Sequence, residues 1–144
     1  MPLRLLRVVM LSLLAVFALV GCGSTPKTTQ RDRLDALQYT WSAAIRWGDF
    51  EGAVQLLDPK QADTATPTAL ELERYKQVQI SGYRDLGESR NIDAGTAVRE
   101  IEIGVINRHT QAERTVRYRE TWRWDPDAKT WWVTSGLPDL WAGQ

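Results

Sequence analysis

The chain has 144 residues, with 18 Lys and Arg balanced by 18 Asp and Glu, so its formal net charge at pH 7 is zero. This balance argues against a dedicated nucleic-acid binder, which would carry a basic patch or stripe. The chain has one cysteine, which excludes an internal disulfide. It also has one histidine, so no cluster of Cys and His is available and we predict neither a structural metal nor a cofactor.

The start of the chain has the pattern of a secretory signal. Arg4 and Arg7 precede an uncharged run over 8–20, which is short for a membrane span of about 20 apolar residues. The run ends in the sequence LVGC at 19–22, which resembles the bacterial lipobox. The resemblance implies cleavage before Cys22, lipidation of its thiol and acylation of the new N-terminus. An uncleaved helical anchor with a buried cysteine is the alternative.

These patterns divide the chain into a signal peptide over 1–21, a lipidated cysteine with a flexible tether over 22–30, and one domain over 31–144. The tether is predicted because its residues are small and polar and include a proline. Gly23 follows the cysteine, where Asp would retain a lipoprotein in the inner membrane, so the resemblance implies the periplasmic face of the outer membrane. Three acyl chains, at about 0.8 kcal/mol per buried CH₂, would anchor the protein stably.

The first half of the domain has the apolar periodicity of helices. Apolar residues three and four apart fall on one face in the first two segments, and Thr66-Pro67 can start a third helix with proline at its first position. We therefore predict helices over 31–47, 50–57 and 66–75. Gly48 ends the first helix and Asp49 caps the second. Pro59 ends the second helix, because the residue before a proline is pushed out of the α region.

The second half is rich in β-branched and aromatic residues, and we predict strands over 77–86, 96–108, 111–124 and 130–134. A tight turn at His109-Thr110 sets the register of the middle two strands. It places Glu102 opposite Arg117 on one face and Ile101 opposite Tyr118 on the other, so that charged pairs and apolar pairs separate. Another charged residue, Arg123, shares the solvated outer face with Arg117.

Helices followed by an antiparallel meander predict the α+β class, with a helical hairpin and a short helix on one face of four strands. The hairpin IRWGDFEGAVQLLDP and the strand ends RYRETWRWD and KTWWVTSGLPDLW resemble the nuclear-transport-factor-2-like superfamily over about 31–140. The resemblance implies a cone-shaped α+β roll. That fold hosts enzymes, binding modules and scaffolds alike, so it does not identify the activity.

One carboxylate stands out, because the predicted register puts Glu120 on the apolar face opposite Arg99. A carboxylate in the cavity of such a roll would resemble the general base of the ketosteroid-isomerase branch, with Tyr118 on the same face as a donor to an oxyanion. We favour the alternative of a structural Arg99–Glu120 pair, because buried charges are normally paired.

The seven tryptophans are numerous for a domain of this size. Most are predicted to fill the core, since each aromatic side chain buries about 150–250 Å². Adjacent residues of a strand point to opposite faces, so Trp132 is predicted to point away from the core. We expect Trp132 and Trp141 to be exceptions that bind an envelope protein or a small apolar ligand.

The sequence therefore predicts a membrane-anchored periplasmic lipoprotein that acts as a binding or protein-interaction module, without catalytic chemistry. The protein is predicted to bind the membrane through the lipid on Cys22. It is not predicted to bind nucleic acid. Two alternatives stay open. One is a small cavity enzyme that uses Glu120 with Tyr118, and the other is a purely structural component of the envelope.

Overall fold

A computed structural model describes residues 26–142, so the predicted signal peptide and Cys22 lie outside the described residues. The helices are α1 (Pro26–Trp47), α2 (Phe50–Val54), α3 (Ala62–Ala65) and α4 (Ala69–Tyr75), with a 3-10 turn at Pro59–Gln61. The strands are β1 (Val78–Asn91), β2 (Thr96–Asn107), β3 (Glu113–Asp125) and β4 (Thr130–Val133). Among the described helices, none is long and apolar enough to cross a membrane.

The four strands form one open antiparallel sheet in the order β1-β2-β3-β4, which confirms the predicted α+β class and the meander. The predicted register of β2 on β3 is also confirmed, because Glu102 faces Arg117 and Ile101 faces Tyr118. On the outer face, the charged side chains pair across strands, as in the 2.8 Å ion pair between Arg119 and Glu100.

The end of α1 and the start of α2 follow the predicted local chemistry. Gly48 adopts a φ of +74° after α1, a left-handed conformation that glycine reaches without steric cost. Asp49 caps α2, its side chain accepting a 2.8 Å hydrogen bond from the backbone of Gly52. At α4, Thr68 and Glu71 form a reciprocal capping box, which satisfies two backbone donors at once.

Several elements differ from the prediction. α3 lies in a segment for which no helix is predicted, and α4 begins at Ala69 rather than at 66, because Thr68 caps it. α1 begins at Pro26 rather than at 31. In this added first turn, Lys27 forms a 2.6 Å ion pair with Asp93. α2 ends at Val54, because Leu57 forms an isolated bridge with β4. β1 continues to Asn91 rather than 86, because its last residues pair with the start of β2.

The core lies between α1 and the inner face of the sheet. α1 buries Leu34, Trp41 and Ile45 completely, at the spacing of one helix face. The indoles of Trp41 and Trp122 meet edge to face, with centroids 6.3 Å apart. Alternate residues of the sheet complete the core, among them Ile101, Ile103, Val116, Trp131 and Val133.

Candidate functional site

Glu120 is the centre of a buried polar cluster on the inner face of β3, and its side chain has no exposed surface. Arg99 faces it from β2 and places Nη2 2.6 Å and Nε 2.8 Å from Oε1. The indole of Trp122 also donates to Oε1. The hydroxyl of Tyr83 donates to Oε2 at 2.6 Å. Both carboxylate oxygens are therefore occupied by donors of the protein.

The guanidinium of Arg99 connects this cluster to α1. Its Nη2 donates to the hydroxyl of Ser42 at 3.1 Å and to the carbonyl of Gln38 at 3.5 Å. Asp85 is a more distant partner, 3.9 Å from Nη1. Arg99 is buried, so its charge is balanced chiefly by Glu120.

Burial raises the pKa of the Glu120 carboxyl, while Arg99, Tyr83 and Trp122 oppose that rise by favouring the charged form. Burial, together with the charge of Glu120, also raises the pKa of the Tyr83 hydroxyl. Tyr83 therefore keeps its proton and acts as a donor at neutral pH. This set of donors suits an ionised carboxylate held in place by its surroundings.

Tyr118 does not join this cluster. Its hydroxyl donates to the carbonyl of Gly136 and shares a hydrogen bond with Ser135, both at 2.7 Å. Burial raises its pKa as well. The residue that reaches Glu120 is Tyr83 on β1, so the structure brings Arg99 and Glu120 together but leaves Tyr118 with other partners.

Trp141 lies at a cleft of about 620 Å³ between the region of α3 and α4 and the segment after β4. Its indole meets the ring of Tyr75 edge to face at 4.9 Å. The guanidinium of Arg74 stacks 4.1 Å from the indole centroid, a favourable cation–π geometry. The cleft is lined mostly by polar residues, including Gln61, Thr64, Thr66, Glu71, Thr134, Ser135 and Asp139.

The aromatic wall of this cleft is fixed by hydrogen bonds. Tyr75 donates from its hydroxyl to the carbonyl of Pro138 at 2.9 Å. Burial, with contributions from Asp139 and Glu71, raises the pKa of Tyr75 to about 12. The backbone of Trp141 donates to the Asp139 carboxylate at 2.9 Å. The two aromatic side chains are therefore held in position at the wall of the cleft.

Trp132 lies elsewhere, on the outer face of the sheet opposite Arg123. It is half-buried, and its buried indole nitrogen has no hydrogen-bond partner. Arg123 forms a bidentate pair with the buried Asp58, at 2.7 and 2.9 Å. Trp132 and Trp141 thus belong to separate surfaces, and only Trp141 lines the cleft.

The most exposed tryptophan is Trp47, with 82% of its surface accessible. The sequence prediction, which names only Trp132 and Trp141 as exceptions to core filling, is therefore wrong for Trp47. Its position relative to Leu34, Trp41 and Ile45 places it on the opposite face of α1, so the helical periodicity could have predicted its exposure.

Within residues 26–142, no group of three or more His, Cys, Asp or Glu side chains is placed to hold a metal ion.

Comparisons with known proteins define the fold. No protein-family model and no curated protein match the chain. A SEC-C motif-containing protein from Psychrobacter arcticus is similar, with a TM-score of 0.56 and 14% identity, over 72% of this chain and 59% of that one. A SEC-C motif-containing protein from Rhodopseudomonas palustris has a TM-score of 0.53 and 17% identity, over 82% of this chain and 96% of that one. At these identities the likeness shows a small α+β fold alone.

Proposed function

We propose that this chain is a lipid-anchored lipoprotein of the bacterial envelope, with a domain of the nuclear-transport-factor-2-like type that binds a partner at the Trp141 cleft. The lipobox-like LVGC at 19–22 supports the anchor, because it closes an apolar run of signal-peptide length. The cleft supports the binding role. Its aromatic wall and polar lining are assembled from two separate parts of the chain.

The lining of the cleft favours a polypeptide segment as the partner over a small apolar ligand. Glu71, Arg74 and Asp139 offer charges of both signs beside the aromatic wall. A partner segment can add hydrogen bonds to such groups with its own backbone and side chains, whereas an apolar ligand would remove water from them and offer no hydrogen bond in return. Trp and Arg are also the side chains most enriched at binding hot spots.

The cavity enzyme with Glu120 as base is less well supported. A general base must come within hydrogen-bond reach of a substrate proton, but the Glu120 oxygens are occupied by Arg99, Tyr83 and Trp122. The proposed oxyanion donor, Tyr118, is engaged with Ser135 and Gly136. A purely structural envelope component would share the anchor but would have no specific occupant in the cleft.

The anchor is tested with the full chain expressed in a bacterium supplied with radiolabelled palmitate. The wild-type protein should incorporate label and sediment with membranes. Cys22→Ser should incorporate none, should retain its signal sequence and should yield no lipidated mature form. Label in Cys22→Ser, or its absence from the wild type, would refute lipidation at this residue.

The binding role is tested by photocrosslinking in cells. A photoreactive amino acid replaces Leu137 in the cleft or, as a control, the exposed Leu86 on β1. The cleft position should give a discrete adduct with one envelope protein, and adding Trp141→Ala should abolish it. The Leu86 position should not give that adduct. Equal adducts from both positions, or an adduct that survives Trp141→Ala, would refute a partner in the cleft.

A further inference from the structure

α1 carries a second apolar row on the face that points away from the core. Ala36, Tyr39, Ala43 and Trp47 follow one another at spacings of three and four residues, which places them on one side of the helix. Tyr39 is 77% exposed and Trp47 is 82% exposed. The outward face of a surface helix normally carries polar residues, so two large exposed aromatics in one row indicate a contact surface.

The size order of this outward row is self-complementary. The small Ala36 and Ala43 alternate with the large Tyr39 and Trp47 along the helix. Read in the opposite direction, the row therefore has a large residue wherever the first reading has a small one. When two copies of α1 lie antiparallel, Tyr39 therefore faces Ala43 of the second copy, and Trp47 faces Ala36. Each large side chain meets a small one at every position, as helix packing at 8–10 Å requires.

The charges beside the outward row have the same symmetry. Asp35 and Arg46 flank it on the same side, and the Asp35 carboxylate remains 58% exposed despite its 2.6 Å pair with Arg90. A two-fold axis between antiparallel helices brings Asp35 level with Arg46 of the second copy, twice in the pair. Parallel helices would instead set Trp47 against Trp47 and would place Asp35 and Arg46 of the two copies at different levels.

We propose that the outward row of α1 is the interface of a two-fold symmetric homodimer, in which two antiparallel α1 helices pack through Tyr39, Ala43 and Trp47. A self-complementary patch is what an isologous dimer needs, because the same surface serves both copies. The inference does not rest on the proposed function. The Trp141 cleft is built from residues after 60 and shares none with the outward row.

The test is sedimentation velocity of the full chain, purified in a density-matched detergent. The wild type should sediment as a dimer. Ala43→Tyr should raise the dimer dissociation constant at least tenfold, because two large side chains then collide. The double variant Tyr39→Ala with Ala43→Tyr should regain the dimer, because it reverses the size order without losing complementarity.

A second variant guards against misfolding of Ala43→Tyr. Trp47→Ala removes a side chain that makes little contact within its own copy, so circular dichroism should stay unchanged while dimerisation weakens at least tenfold. Ala69→Arg, at the exposed start of α4, is the matched surface control and should remain dimeric. A monomeric wild type, an unaffected Trp47→Ala, or a double variant as weak as Ala43→Tyr would overturn the proposal.

Discussion

Arg99 and Glu120 form a buried ion pair across β2 and β3, with 2.6 Å between Nη2 and Oε1. The pair lies directly under α1, where Ser42 supplies a further contact to Arg99. Removing two charges from water costs several kcal/mol for each ion. Their mutual attraction and the added donors Tyr83 and Trp122 offset this cost. The cluster therefore depends on every member being present.

Arg99→Met should lower the free energy of unfolding at pH 7 by about 3–5 kcal/mol, because it leaves a buried carboxylate without its counter-ion. Urea denaturation followed by tryptophan fluorescence measures the loss. Adding Glu120→Gln to this variant should recover part of it, since the neutral amide needs no counter-ion. Losses that simply add in the double variant would contradict the coupling of the two residues.

The stability of the Arg99→Met variant should also depend more strongly on pH than that of the wild type. Burial raises the pKa of Glu120, and Arg99 is the group that most opposes this rise, so removing Arg99 raises the pKa further. Between the unfolded pKa of about 4.3 and the higher folded pKa, the native state binds more protons than the unfolded state. The free energy of unfolding therefore falls as pH rises through this window.

Urea titrations of Arg99→Met from pH 4 upward test this sign. Its deficit relative to the wild type should be smallest near pH 4 and should grow with pH. The double variant Arg99→Met with Glu120→Gln should show no such growth, because it has no carboxyl at this position. A deficit that shrinks as pH rises would show that Glu120 is not the responsible group.

The register of β2 on β3 could be predicted from the sequence because both strands are long and regular. Charged residues such as Glu102 and Arg117 alternate with apolar ones over their whole length, and a shift of one residue would mix the two faces. The Arg99–Glu120 contact follows from this register alone. Alternation of charged and apolar residues therefore predicts the register of two strands wherever neither strand has a bulge.

Other contacts could not be predicted because they depend on irregular or distant pairing. The register of β1 shifts between Ile80 and Gly82 and again between Asp85 and Gly87, so alternation does not show which face carries Tyr83. Asp58 and Arg123 are 65 positions apart. No periodic pattern joins two such positions, and the bridge between Leu57 and Val133 holds the segment of Asp58 against β4.

Asp58 should contribute stability that is lost in acid. The hydrogen bonds from Arg123 hold the pKa of Asp58 below its usual value, so between the folded pKa and the unfolded value of about 3.9 the unfolded state binds more protons. Stability is therefore present above the unfolded pKa and falls as pH drops towards the folded one.

Asp58→Asn should lower the free energy of unfolding at pH 7 by about 3 kcal/mol, because Arg123 loses its bidentate carboxylate partner and keeps only Asp125, at 3.4 Å. The difference from the wild type should narrow between pH 5 and pH 2, as measured by urea denaturation across that range. The control is Asp127→Asn, at an exposed position in the turn between β3 and β4. Its free energy of unfolding should change with pH as that of the wild type does. A constant difference across this range would exclude the Asp58 carboxylate as the titrating group.

Gly95, in the turn between β1 and β2, and Gly48, after α1, offer a matched pair of glycine substitutions. Gly95 and Gly48 have similar positive φ values, +67° and +74°, so alanine is strained at both by about 1 kcal/mol. A Cβ at Gly95 would lie 3.0 Å from Cβ of Trp124, whereas at Gly48 its nearest neighbour, in the ring of Phe50, is 3.8 Å away. Gly95→Ala therefore carries an added steric cost.

Gly95→Ala should lower the free energy of unfolding by about 1–3 kcal/mol more than Gly48→Ala, the range expected for overpacking. Thermal and urea denaturation of the two variants measure the difference directly. The Trp124 side chain packs edge to face on Trp131, with centroids 5.6 Å apart, so near-ultraviolet circular dichroism should change in Gly95→Ala but not in Gly48→Ala. Equal losses of unfolding free energy in the two variants would contradict this prediction. They would mean that backbone strain alone destabilises both variants and that Trp124 moves away from the new Cβ without cost.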